Sequence, residues 1–382
     1  MSIRTPAEVF PPGDFIREEL ESRGWTQGNL AKITGRPVSA INLIISAKKA
    51  ITPETACELA GAFGTSPEFW LNLESAYRLS MLESTNEAIR DRAKIFGASP
   101  VKEMEERNWI PRTESVDELR KELSKFYFLA SSGEGLNLKV AARAKARTAE
   151  VLIPEQIAWC VQALRLATSV SVSTFKPQTL ADGIRELRAL ATYPQEVKYV
   201  PRVLSQIGIR FVVVRHLTKT KIDGAALWLG DGWDSPVIAL SMRHDRIDYF
   251  WHTLLHELSH IKNQDTWVLD DDLQGTRITG NSQITAIEER ADAEAADMLI
   301  PKQAMDSFIA RTRPFYSKQR IVQFANLHKI HPGIVAGQLQ YRGETLWSAN
   351  REMLEKVRDV LISQAMTDGW ESWRKKTYEN KN

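Results

Sequence analysis

Five consecutive residues, His256-Glu257-Leu258-Ser259-His260, carry the densest chemistry in this chain of 382 residues. Their H-E-x-x-H spacing follows an apolar lead-in (Phe250, Trp251, Leu254, Leu255) and predicts a helix. Histidines four apart stand one above the other on that helix, so both imidazoles can reach one metal ion. The glutamate between them lies to the side of the same face, where it can take a proton from a water on that ion. With seven histidines in the whole chain, the pairing favours a zinc hydrolase site. A catalytic zinc takes three protein ligands and keeps one position open. The third donor must therefore come from elsewhere. His252 shares the face, but about 12 Å of helical rise separates it from His260; it reads as a core or supporting histidine. A second helix expected over 284–300 offers Glu288 and Asp292 at i, i+4. One of these carboxylates could bind the metal while the other orients a ligand histidine through its free N–H. The bland alternative is an ordinary charged face, with Glu289, Arg290, Glu294 and Asp297 close by. Four residues could supply an oxyanion donor, His328, His331, Tyr316 and Tyr341, and spacing selects none of them.

A different constellation lies near the N-terminus. No Asp or Glu occurs between Ser22 and Pro53, whereas Arg23, Lys32, Arg36, Lys48 and Lys49 all fall there. A phosphate-facing surface needs such a local basic stretch, although the net charge of the chain is only +2. The elements that would position it read as five short helices. Phe10-Pro11-Pro12-Gly13 forms a turn with Asp14 as cap, ahead of a stripe of Phe15, Ile16 and Leu20. Thr26 caps Gln27–Ile33, which stops at Gly35. Pro37 opens Val38–Ile45, whose packing side is Ile41, Ile44 and Ile45. Two further helices start at Thr52-Pro53 and Pro67. Two short helices bent at Gly35 describe a helix-turn-helix, whose second helix enters the major groove. Its outward face offers Ser39 and Asn42 to base edges, with Val38 able to meet a thymine methyl. Gln27 and the N-terminus of its helix suit one phosphate, and Lys48 and Lys49 suit others. A small helical bundle that binds protein would share the same periodicity.

The run PPGDFIREELESRGWTQGNLAKITGRPVSAINLIISAKKAITPETACELAGAFGTSPEFWLNL resembles the HigA-type antitoxin branch of the Xre repressors. It has the PG turn, the T-Q start, LA-x-x-x-G, I-T-x-x-T-A and the G-T-x-x-x-F-W-L ending, over roughly 65 residues. The resemblance implies a homodimer on a palindromic, double-stranded operator. Pro37, just before the recognition helix, departs from the pattern. Further along, I-D-G-A-A-L-W-L, P-V-I-A-L-S, D-Y-F-W-H-T-L-L-H-E-L-S-H and E-x-x-A-D-x-x-A-A-D-x-L-I-P resemble the ImmA/IrrE metallopeptidases. In that family the acidic ligand stands thirteen residues before the proline of L-x-P, which lands on Glu288, and Asp292 matches the supporting acid. Ser259, where glycine is usual, and Glu294, where an aromatic is common, are the visible departures.

The expected fold is mainly α with a small β-sheet. A five-helix helix-turn-helix domain (1–85) precedes a helical middle region (86–200), an α+β zincin-like metallopeptidase domain (201–345) and a C-terminal amphipathic helix (346–382). Strands are expected at 210–214, 225–229 and 237–240. Cys57 and Cys160 read as two buried thiols in a reducing compartment. With no apolar leader and no run of about 18 apolar residues, the expected location is cytoplasmic, without a membrane partner. The functional expectation is a DNA-binding regulator of toxin–antitoxin or prophage type. Its zinc-dependent endopeptidase-like domain, with one Zn2+ per chain, would cleave or sense a partner protein, a toxin or repressor. The alternative is an antitoxin-like repressor whose zinc domain binds ligand or toxin without catalysis.

Overall fold

Short helices with glycine stops build the first of two units, residues 1–95. They are α1 (Pro12–Ser22), α2 (Gln27–Thr34), α3 (Val38–Ile45), α4 (Pro53–Phe63) and α5 (Pro67–Met81). Ile16, Leu20, Leu30, Ile41, Ile44 and Trp70 form the centre of its core. Thr26 caps α2 by accepting from the Asn29 N–H, and Gly35 ends it in the left-handed region at φ 69°. The start of α1 differs from expectation. Pro12 and Gly13 already belong to the helix, and Asp14 pairs with Arg17 instead of capping. Gly13 is needed for closeness: a Cβ there would lie 2.0 Å from the Ile45 carbonyl oxygen at the end of α3. Cys57 is exposed on α4, contrary to the expected burial, while Cys160 is buried.

The computed structural model describes residues 9–81, 83–127, 152–230, 232–265, 268–271 and 282–369. Residues 128–151 of the expected helical middle region lie outside them. After α6 (Glu83–Ala98), which spans the division, the second unit runs from 96 to 382. Its helices α7 (Val101–Glu106), α8 (Val116–Tyr127), α9 (Pro154–Ala167), α10 (Leu180–Ala189) and α11 (Val200–Gln206) precede a mixed sheet. The strands are β1 (Arg210–Val213), β2 (Ile222–Trp228), β3 (Pro236–Leu240), β4 (Val268–Asp271) and β5 (Met366–Thr367), in the order β4-β2-β3-β1-β5. β1 runs parallel to β3 and β5, and β2 antiparallel to β3 and β4. β2 and β3 are buried at every position, and apart from Asp223 their residues carry no charge.

α12 (Ile247–Lys262) carries the H-E-x-x-H residues and packs on β2 and β3, on α13 (Ser282–Leu299) and on α16 (Pro332–Tyr341). Between the last two come α14 (Lys302–Thr312) and α15 (Lys318–Leu327). Gly337 lets α16 approach α12, because a Cβ there would sit 2.3 Å from Asp248 Oδ2. The C-terminal region is not one amphipathic helix through its described part. Asn350 turns left-handed at φ 54°, a five-residue α17 (Arg358–Ile362) follows, and the chain then adds β5 beside β1. Asp245 accepts from the N–H groups of Val357 and Arg358, fixing that start. Residues 370–382 of the expected helix lie outside the described residues.

Candidate metal centre and nucleic-acid interface

From Ile247 to Ile261, α12 is buried at every position except half-buried His252. A helix enclosed on all sides must satisfy its polar groups internally. The Nε2 atoms of His256 and His260 face each other at 2.9 Å. Glu288, on α13, brings Oε2 to 3.3 Å from the first and Oε1 to 3.6 Å from the second. The opposite ring nitrogens are held by carboxylates. His256 Nδ1 lies 2.9 Å from Asp292 Oδ1, and His260 Nδ1 lies 3.0 Å from Asp265 Oδ2. These partners place the N–H on Nδ1 in both rings. A hydrogen bond between the two Nε2 atoms would then require an imidazolium, and burial pushes His260 the other way, towards the neutral ring. Two facing lone pairs and a buried carboxylate make a donor set that fits one divalent cation with N, N and O ligands.

Asp292 gathers further groups: His252 Nε2 at 3.4 Å and the Tyr341 hydroxyl, which donates to Oδ2 at 3.3 Å. Burial raises this carboxyl, but the hydrogen bonds from His252 and His256 outweigh it and hold Asp292 far below the ordinary carboxylate range. His252, His256 and Asp292 form a second, overlapping donor group, and His252 stands outside the trio of His256, His260 and Glu288. Asp265 was not anticipated; it follows the end of α12 by a few residues, where no periodicity marks it. Arg290 pairs with it from α13. Glu257 is fully buried with its carboxylate against β2: a Cβ on Gly224 would lie 2.5 Å from Oε1. Ser259 and Glu294, the two departures from the metallopeptidase pattern, answer each other, with the Ser259 hydroxyl donating to Glu294 Oε2 at 2.8 Å. Of the four oxyanion candidates, Tyr341 is the one hydrogen-bonded to the cluster. Tyr316 bonds Glu344, His331 faces Glu355 and accepts from the Gly333 N–H at the start of α16, and His328 packs on Phe324.

In the first unit, Val38, Ser39 and Asn42 are exposed on the outward face of α3, opposite buried Ile41, Ile44 and Ile45. Leu43 also faces outward and was not anticipated. Lys48 and Lys49 are exposed just beyond the helix, and half-buried Gln27 occupies the first position of α2, whose first-turn N–H groups lack intrahelical acceptors. The basic stretch divides in two. Arg36 forms an ion pair with Glu58, and Arg23 donates to the Phe63 carbonyl while lying over the Trp25 and Phe63 rings. These arginines fasten the unit, and the lysines remain on its surface.

A helix-turn-helix family model matches residues 16–70. An uncharacterized HTH-type transcriptional regulator of Escherichia coli, YddM, is 35% identical over 84 residues, covering 22% of this chain and 89% of that protein. Among solved structures, an addiction module antidote protein of a HigA family from Coxiella burnetii is 36% identical, covering 22% of this chain and 92% of that one, with a TM-score of 0.21. Pseudomonas aeruginosa antitoxin HigA, solved with the higBA promoter, is 28% identical over 21% of this chain and 89% of its own, also with a TM-score of 0.21. No helix among the described residues is long and apolar enough to cross a membrane.

Proposed function

Through its first unit the chain belongs to the helix-turn-helix transcriptional regulators, and we propose that it couples operator binding to a zinc peptidase-like site of the ImmA/IrrE kind. In this reading α3 enters the major groove of a palindromic operator as part of a homodimer, in a toxin–antitoxin or prophage setting. Ser39, Asn42 and Val38 meet base edges, and Gln27, Lys48 and Lys49 meet phosphates. Gln27→Ala combined with Lys48→Ala is expected to weaken binding to duplex DNA from upstream of the chain's own gene. The salt slope of log K should fall by about 0.9 for the lost lysine contact. Fluorescence anisotropy across salt concentrations measures both, and an unchanged slope removes Lys48 from the interface.

The metal half of the proposal is carried by the facing Nε2 atoms of His256 and His260 with Glu288 across from them. These three would hold Zn2+ in a zincin-like domain over 201–345, with 86–200 and 346–382 as flanking regions. When bound, zinc supplies Lewis-acid polarisation of a peptide carbonyl and acidifies water. Glu257 takes the proton from the attacking water and returns it to the leaving amine. Asp292 and Asp265 hold the N–H on Nδ1 of each ring, which turns Nε2 towards the metal position and fixes the ring orientation. Tyr341, at the edge of the cluster, would turn its hydroxyl from Asp292 to a developing oxyanion. The substrate is a partner protein, a toxin or a repressor.

The full burial of His256, Glu257 and His260 favours a second reading, in which the zinc unit binds a ligand or toxin without turnover. Glu257→Gln separates the two. It is expected to keep one zinc per chain and to lower cleavage of the partner by about 10²–10⁴-fold. If release of the target promoter in cells survives that substitution, proteolysis is not the output.

A further inference from the structure

A cavity of about 580 Å³ in the second unit has none of the trio His256, His260 and Glu288 in its lining. It lies among α12, α13, α14 and α16, and its volume falls in the ligand-pocket range of about 300–1,000 Å³. Leu299, Ile300 and Ile334 line its apolar part, and Tyr249, Tyr341 and Trp347 add aromatic walls. Five carboxylates border it; Asp248 is paired with Arg246 and Glu294 with Lys262, which leaves Glu289, Asp292 and Asp297 against two lining cations, Lys302 and Arg342. Arg342 is drawn outward by Asp306 at 2.6 Å, so its charge is matched away from the acids of the wall. An apolar cavity with aromatic sides and surplus negative charge repels anions and accepts a cation on an apolar stem.

We infer that this cavity is a recognition pocket for an amphipathic cation, an amine or guanidinium carried on an apolar body. The inference goes beyond the metal reading and does not depend on it, because His256, His260 and Glu288 take no part in the lining. The connection between the two is Asp292, which borders the cavity and holds His256. A ligand that reaches Asp292 reaches the carboxylate that orients a metal-site ring. A free amine and a lysine or arginine side chain of a peptide share the required chemistry.

Titration of the full chain with dansylcadaverine tests the pocket, with its N-acetylated analogue as the same body without charge. The amine is expected to bind about tenfold or more tightly than the analogue, the discrimination of one charged contact. Ala293→Trp, at an exposed α13 position lining the cavity, should reduce amine binding by about tenfold, with circular dichroism unchanged. Glu289→Gln should reduce it several-fold. Binding should persist in His260→Ala, which separates failure of this inference from failure of the metal reading. Displacement by acetyl-Leu-Lys-Leu-amide at lower concentration than by butylamine identifies a peptide source, and the reverse order a small amine. Equal binding of the acetylated analogue, no binding of either probe, or full binding in the Ala293→Trp variant overturns the assignment.

Discussion

His260→Ala is expected to leave the protein without stoichiometric zinc after exhaustive dialysis, where the unaltered chain retains one ion. The substitution removes one of two Nε2 donors that face each other at 2.9 Å, leaving His256 and Glu288 as an incomplete set. Glu288→Ala should have the same outcome, and full zinc in that variant would remove Glu288 from the ligands. The supporting carboxylates should have graded effects. Asp292→Asn and Asp265→Asn leave all three ligands in place but weaken the hold on one ring each, at about 10–100-fold in affinity. Zinc in thousandfold excess over Kd should stabilise the unaltered chain by about 4 kcal/mol and leave His260→Ala unmoved. Atomic absorption and thermal unfolding with and without added zinc read both effects. Zinc retained at one per chain in His260→Ala would remove the site.

The motif helix was legible from its apolar density and its H-E-x-x-H spacing, and its partner from the rhythm that one-sided burial imposes. Apolar residues around His256 and His260 mark α12, and Ala291, Ala295 and Leu299 mark the inner side of α13. Once both helices are buried against each other, Glu288 and Asp292 can point only towards the histidines. The pieces that sequence reading missed lie where no rhythm exists. Asp265 sits past the helix end, and β5 is two residues long, too short for an alternation. Residues 349–369 carry helix-like apolar spacing, yet a left-handed Asn350 and the caps supplied by Asp245 break them into short pieces. Gly224 stood in the resemblance, but its reason is tertiary: it leaves room for the Glu257 carboxylate. Close approach between distant segments leaves no periodic trace.

Gly13 shows the same point with a measurable sign. Helix interiors normally gain about 0.4–1 kcal/mol when glycine becomes alanine, through reduced freedom of the unfolded chain and better helix propensity. Gly61, inside α4 with nothing within 4 Å of a built Cβ, should behave that way. Gly13 should do the opposite. Its Cβ would meet Ile45 O at 2.0 Å, Ile45 C at 2.6 Å and Ile45 Cα at 2.8 Å, all backbone atoms that no rotamer change can move aside. Relief requires α1 and α3 to separate, which opens the core around Ile16, Ile41 and Ile45. The expected cost of Gly13→Ala lies at or above the upper end of the overpacking range of about 1–3 kcal/mol, and Gly13→Val should unfold the first unit. Operator binding should then disappear while zinc stays at one per chain, because the metal residues belong to the second unit. Denaturant unfolding of Gly13→Ala beside Gly61→Ala tests this directly. Equal stability of the two variants would show that α1 and α3 yield at that contact, and that the glycine serves only the entry to the first helix.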